Sequence, residues 1–230
     1  VSDISHWKLT DDADYFYYSS NETIHGLEIH EVPNINTPIV NDMSSTICSR
    51  PIDINKYGLI FAGAQKNLGI AGLTVVIVRN DLIKDKGKDL PPLLRYQCHS
   101  DAKSMLNTSP VFAWYVAGLV FKWILARGGL ESIEAQNIKK AMDLYNYIDS
   151  SDFYYNRIDS GNRSRMNVPF SISDDSLTSK FVSEAEESGL YGLKGHRLVG
   201  GLRASIYNAM SIEGIHALIN FMQDFEKKYL

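Results

Sequence analysis

"FAGAQKNLGIAGLTVVIV", residues 61–78, poses the fold question and the chemical question together. The apolar runs on either side of its centre, 58–62 and 73–79, are continuous rather than alternating. That is the pattern of strands buried on both faces beneath helices. Between them stands one lysine, Lys66, among Ala62, Gly63, Ala64, Gly69, Ala71 and Gly72. A lone lysine in a turn is ordinarily a solvated surface charge. Here the neighbours lack bulk, glycine permits close approach by a ligand, and the position just past a buried strand is where α/β sheets collect ligands. Partial desolvation there would favour the neutral, nucleophilic amine.

Working outward, "DYFYYSS" (14–20) reads as a strand ending in a serine-rich loop through "NETIHG", and "PIVNDM" as a brief strand, 38–40, ending at Asn41 and Asp42. An α/β sheet follows from these four runs. A loop rich in Lys, Asp and Pro spans 84–92. "LNTSP" then introduces an apolar helix with Thr108 or Ser109 as its cap and Pro110 in its first turn. Gly128 and Gly129 stop that helix, and a polar helix over 130–148 leads away. Beyond it come a strand at 165–172, a helix over 175–190 ended by Gly189, a strand within 200–209 and a last helix over 211–230. The last helix puts Ile212, Ile215, Leu218, Ile219, Met222 and Phe225 on one face. This second group is a small α+β unit with its own core, so the expected division is 1–140 and 141–230.

Composition narrows the function. The 230 residues are 44% apolar and 22% charged, with formal net charge −4. No basic stripe is available to neutralise phosphates, which argues against a nucleic-acid protein. Two cysteines, Cys48 and Cys98, without a CxxC spacing, point to free thiols in a reducing, cytoplasmic setting. The apolar stretch 111–126 is shorter than the ~20 residues of a membrane span and is interrupted by Lys122, so it is expected to be a buried helix, with no membrane partner. The six histidines are scattered, without an HExxH motif, and no metal is expected.

A lysine that forms a Schiff base fits the surroundings of Lys66, and one such role is to bind pyridoxal 5′-phosphate. That cofactor needs an anion beside its pyridine nitrogen and a cradle for its phosphate. Asp42, ending a short strand ahead of Lys66, can supply the anion, or it can be a simple turn former. The polar groups of "SSNET", Gln65, Asn107 and Thr108 can serve the ring oxygen and the phosphate, with Thr108 at an expected helix start, where free amides favour anions. A plain capping role suits Thr108 equally well. Further along, "GHRLVGGLR" sets His196, Arg197 and Arg203 around three glycines. This is either a solvated basic turn or an anion site. Arg203 adjoins the apolar run "ASIY", where a buried guanidinium needs a carboxylate or phosphate partner.

"NETIHG", "DMSSTICSRPIDINKYGLIFAGAQKNLGIAGLTVVIVR", "MLNTSPVFAWYVAGLVFKW", "NRSRMNVPF" and "GLKGHRLVGGLRASIYNAM" resemble the phosphoserine aminotransferase family, in order, from about residue 7 to the C-terminus. The resemblance implies a fold-type I, pyridoxal-phosphate-dependent aminotransferase that works as a homodimer. In that fold, residues 1–140 would be part of a large mixed-sheet cofactor domain, and 141–230 a small substrate domain. It implies that Lys66 carries the Schiff base, Asp42 pairs with the pyridinium, Thr23 meets the ring oxygen and Gln65 the phosphate. Asn107 and Thr108 would reach the phosphate of the neighbouring subunit. Arg203 would hold the substrate α-carboxylate, and His196 and Arg197 the distal group of glutamate or 3-phosphohydroxypyruvate. The reaction implied is a ping-pong transamination in the serine pathway, with a related substrate in pyridoxine synthesis for some members. One departure is Ile70, where the family usually has proline.

The family's upstream glycine-rich phosphate turn, ring-stacking aromatic and further basic substrate residues have no counterpart here. The chain is therefore expected to be a truncated form that binds cofactor weakly. Two rival readings stay open at this stage: a non-catalytic remnant, and another fold-type I aminotransferase acting on a small 2-oxo acid. Arg163 and Arg165 read as structural or surface charges.

Overall fold

The computed structural model describes residues 4–83 and 89–230, so residues 84–88 of the expected 84–92 loop lie outside the described residues. The first unit is a four-stranded sheet in the order β1 (Phe16–Ser19), β4 (Ile39–Asp42), β5 (Leu59–Gly63), β6 (Thr74–Val78). Strands β1, β4 and β5 run parallel, and β6 is antiparallel to β5. The parallel trio sends its carboxyl ends to one edge, which aligns Ser19, Asp42 and the turn after Gly63. Its core joins Tyr18, Ile39, Met43, Ile60, Ala62, Ala64 and Leu68.

The second unit wraps a three-stranded antiparallel sheet, β7 (Tyr154–Tyr155), β8 (Asn167–Ile172) and β9 (Leu202–Ser205), with α3 (Gly129–Ser150), α4 (Thr178–Glu187) and α5 (Ile212–Tyr229). Ser211 caps α5 by accepting from the Gly214 amide. Phe181, Phe225, Met222, Val168 and Ile172 are fully enclosed, and the rings of Phe153, Tyr154, Phe170, Phe181, Phe221 and Phe225 meet mostly edge to face.

A two-stranded hairpin, β2 (Asn21–Glu22) with β3 (Leu27–Glu28), links the units. Although it directly follows β1, it is bonded to the chain some 140 residues later. The Ser164 amide donates to the Gly26 carbonyl at 2.9 Å, Leu27 forms an antiparallel bridge with Arg163, and the Arg165 amide donates to the buried Glu28 carboxylate at 2.9 Å. Gly26 adopts φ +71°, and a Cβ there would lie 2.1 Å from Pro169 Cδ, so only glycine fits.

Three expectations are corrected. In β4 and β5 buried and part-exposed residues alternate, and β6 is largely open, with Val76 and Ile77 exposed; these strands are not covered on both faces. The apolar helix α2 (Val111–Ala126), which follows the short α1 (Tyr96–Asp101), is not buried either. Ala113, Ala117 and Ile124 are its only buried residues, while Val111, Phe112, Trp114, Tyr115, Leu119, Phe121 and Leu125 face outward. Lys122 apart, its side chains are apolar all round, so composition could not say which face has a partner. Finally, Pro110 is itself the N-cap of α2, with no side-chain cap. Thr108 thus precedes the helix rather than starting it, and the Ser109 hydroxyl turns back to Met105 Sδ.

No single helix among the described residues is long and apolar enough to cross a membrane. The pair Val111–Ala126 and Gly129–Ser150, bent by 83°, passes that test only jointly, by length and composition.

Candidate active site

The turn after β5 presents Lys66. The Gly63 amide donates to Ser44 Oγ at 3.1 Å, the Ala64 amide to the Leu73 carbonyl at 2.9 Å, and the Leu68 amide closes the turn on Ala64. The small residues have partly local reasons. Gln65 folds its amide over Gly63, where a Cβ would stand 2.5 Å from Oε1. Lys66 is half-buried, and its Nζ donates to Thr23 Oγ1 at 3.1 Å.

Thr23 sits in the turn of the β2–β3 hairpin, which Glu22 braces. Its carboxylate accepts from the amides of Ile24 (3.1 Å) and His25 (2.7 Å) and meets the His25 ring at 2.7 Å. Burial pushes the Glu22 carboxyl up, but those hydrogen bonds outweigh it and hold the group below the usual carboxylate range. The Thr23 carbonyl accepts a long hydrogen bond, 3.4 Å, from Arg203 Nη1 on β9. Thr23 therefore touches both Lys66 and Arg203, one from each unit. Arg203 Nε is buried with no hydrogen-bond partner among the described residues. A guanidinium left so is poised to take an anion.

Asp42 ends β4 at the same sheet edge. Its Oδ1 accepts from the Ser44 amide at 2.8 Å, and no other group among the described residues bonds its carboxylate. His196 and Arg203 line one cleft of about 620 Å³, together with Ile24, His25, Pro169 and Ser171. The His196 carbonyl closes the glycine-rich turn by accepting from Val199 and Gly200, and its Nδ1 accepts from the Leu198 amide at 3.3 Å. Arg197 is exposed beside the cleft. Asn107 and Thr108, also exposed, have side-chain hydrogen bonding among the described residues only to each other, by Asn107 Nδ2 to the Thr108 carbonyl. The structure thus gathers Lys66, Thr23 and Arg203, sets Asp42 on the same edge, and leaves Asn107 and Thr108 outside this cluster.

Arg163 and Arg165 are tied into structure: Arg163 pairs bidentately with Asp149 and covers the Tyr145 ring, and Arg165 joins Glu134 and His30. Further polar residues stand near Lys66, of which only Asn21, within "SSNET", was singled out in the sequence. The Tyr207 ring centroid lies 5.8 Å from Nζ, and Asn21, Asn67, Asn167 and Asn208 form buried amide contacts nearby. "ASIYNA" held two of them, but nothing in its spacing separates a site tyrosine from a core one. Lys140 on α3 is almost wholly enclosed. Its Nζ donates to the carbonyls of Ile206 (3.1 Å) and Tyr207 (2.8 Å), and burial pushes its amine down to about 8.

Residues 2–218 match the family described as aminotransferase class-V. A phosphoserine aminotransferase of Acinetobacter baylyi is 52% identical over 229 residues, covering 100% of this chain and 64% of its own length. One of Buchnera aphidicola subsp. Cinara cedri is 57% identical over 224 residues, covering 97% and 62%. The solved phosphoserine aminotransferase of Bacillus circulans subsp. alkalophilus superposes with a TM-score of 0.96 at 46% identity, covering 98% of this chain and 63% of that one. The pyridoxal-phosphate-bound phosphoserine aminotransferase of Trichomonas vaginalis gives 0.92 at 44%, covering 97% and 64%. The chain therefore spans somewhat under two thirds of the length of the relatives it matches.

Proposed function

The chain belongs to the class-V aminotransferase family, and from that premise we propose that its protein is a phosphoserine aminotransferase using pyridoxal 5′-phosphate. The amino group of glutamate passes to 3-phosphohydroxypyruvate, giving 2-oxoglutarate and O-phosphoserine in two half-reactions. The observation that carries this reading is the junction at Thr23, where an amine converges with a half-buried guanidinium whose buried Nε has no hydrogen-bond partner among the described residues.

The donor set suits the cofactor: an amine for its aldehyde, a hydroxyl for its ring oxygen and a carboxylate with free acceptor capacity for its ring nitrogen. Lys66, Thr23, Asp42 and Gln65 would hold it. When bound it supplies an electron-withdrawing protonated ring. Lys66 moves the proton at the substrate Cα, as general base and then general acid. Asp42 keeps a proton on the ring nitrogen by its negative charge. Arg203 fixes the α-carboxylate through its planar fork, which sets the orientation of Cα toward Lys66. His196 and Arg197 take the distal phosphate or carboxylate in turn. The same anchors suit the four-carbon phosphorylated 2-oxo acid of pyridoxine synthesis, which we include in the proposal.

Asn107 and Thr108 serve the cofactor phosphate of a second copy in a homodimer. Their exposure, and the outward apolar side chains of α2 directly after them, support that reading. The division into 1–140 and 141–230 is supported by the two separate cores, the second of which begins at Ala141, so the boundary falls within α3. The two free cysteines support a cytoplasmic setting.

Borohydride trapping with pyridoxal phosphate, followed by peptide mapping, tests the reading and detects weak binding. Label is expected on Lys66 and none in Lys66→Ala; label unchanged in that variant overturns the assignment. Substrate class is tested by His196→Ala combined with Arg197→Ala. Transamination of phosphohydroxypyruvate should fall on the order of 10²-fold, from about 3 kcal/mol of lost charged hydrogen bonds. Pyruvate turnover should barely change; equal losses would point to a different small 2-oxo acid.

A further inference from the structure

The polar contacts around Lys66 close into a ring. Lys66 Nζ bonds Thr23, whose hairpin begins at Asn21. Asn21 Nδ2 donates to Asn167 Oδ1 at 2.9 Å and to Ser45 Oγ at 2.9 Å. Asn167 Nδ2 donates to the Tyr207 hydroxyl at 3.1 Å, and the Tyr207 ring faces Nζ with its centroid 5.8 Å away. Tyr207 is followed by Asn208, whose amide donates to Asn67 Oδ1 at 3.1 Å, and Asn67 is the residue after Lys66. Asn21, Asn67 and Asn167 are buried, so the Asn21–Asn167, Asn21–Ser45 and Asn208–Asn67 bonds are shielded from competing water. Lys140 holds the carbonyl of Tyr207 from behind.

We propose that Tyr207 is a positioning residue for Lys66. Its ring is one wall of a slot whose other wall is Thr23, and both walls hang from the Asn21–Asn167 pair. The Asn208–Asn67 bond fixes the height of Lys66 within the slot. Tyr207 and Asn167 belong to the second unit, while Lys66, Asn67 and Asn21 belong to the first; the amine is therefore aimed only while the two are docked. A lysine has many rotamers, and an aromatic face favours the one that lays its amine against the ring. The inference rests on the reading of Lys66 given above and adds the group that aims it.

The test compares wild type with Tyr207→Phe and Tyr207→Leu. Cofactor-free protein is reductively dimethylated with ¹³C-formaldehyde, and the Lys66 methyl signal is identified by its loss in Lys66→Arg. An upfield displacement from the ring is expected in wild type and Tyr207→Phe, and a return to the ordinary dimethyl-lysine position in Tyr207→Leu. The remaining lysine signals should stay in place, which shows that the variant is folded. A Lys66 signal that does not move in Tyr207→Leu overturns the proposal.

The second reading is the rate of borohydride-trapped labelling by pyridoxal phosphate on the alkaline plateau of its pH profile, where the amine is neutral in every variant. Tyr207→Leu should slow it roughly 3- to 10-fold, as rotamer freedom returns, and Tyr207→Phe should restore it; equal rates overturn the proposal. Should wild type take no label at Lys66, the functional reading fails, and the methyl shift still decides this one.

Discussion

The two ends of the chain bury apolar side chains on different terms. In the C-terminal unit the apolar faces share one core: Phe181 on α4 meets Phe225 on α5, Tyr154 on β7 and Phe170 on β8, and the Tyr154 hydroxyl donates to the Met222 carbonyl of α5. In the first unit β6 and α2 carry equally apolar sequence, yet Val76, Ile77, Phe112, Tyr115, Leu119 and Leu125 are exposed. The contrast separates two properties that a hydrophobic run merges. The run states what a segment can bury, and the packing partner states whether it does so.

The largest effect that can break this contrast is Phe181→Ala. Phe181 is fully buried among four other rings, and its removal should cost about 3–5 kcal/mol, read from a urea midpoint. A loss under 1 kcal/mol would mean that the C-terminal core is not the closed body described.

An intermediate effect concerns pH. The Lys140 amine, pushed from an ordinary 10.5 down to about 8 by burial, is more protonated in the unfolded chain between those values. Stability should therefore rise with pH from about 8 to about 10, by at most about 1.4 kcal/mol per unit. The buried phenols of Tyr18, Tyr145 and Tyr154 and the Cys48 thiol, all pushed up by burial, act the opposite way as pH climbs further. Comparing wild type with Lys140→Met cancels them: the difference in urea midpoint should grow between pH 7.5 and 9.5, and a constant difference would contradict an enclosed amine.

The smallest effect sharpens the other side. Phe112→Ala, on the bare face of α2, should change the stability of the 230-residue chain by no more than about 0.5 kcal/mol. A loss comparable with that of Phe181→Ala would show that this face is covered in solution.

Much of the frame is legible in the residues. The runs at 58–62 and 73–79 are β5 and β6 to within a residue or two, the 130–148 pattern lies inside α3, and the last helix starts at its serine cap. Lys66 and Arg203 stand out because a charged group beside small or apolar residues needs an explanation, and the structure brings both to Thr23. Other features leave no local trace. The β2–β3 hairpin has two-residue strands held by bonds to residues 163–165, so no periodicity announces it. Tyr207 and the asparagines acquire their meaning from contacts between the units. The exposure of α2 was invisible because sequence records no absence of a neighbour.

The hairpin at 21–28 has a practical corollary. It is encoded early, yet its backbone is laced to residues 163–165, and the Pro169 ring occupies the space above Gly26. Anyone grafting residues 141–230 from a relative should transplant this short turn as well. A crossover placed at 140 alone would import a proline shaped for one loop and seat it on another, and Thr23 would be displaced from the lysine it serves.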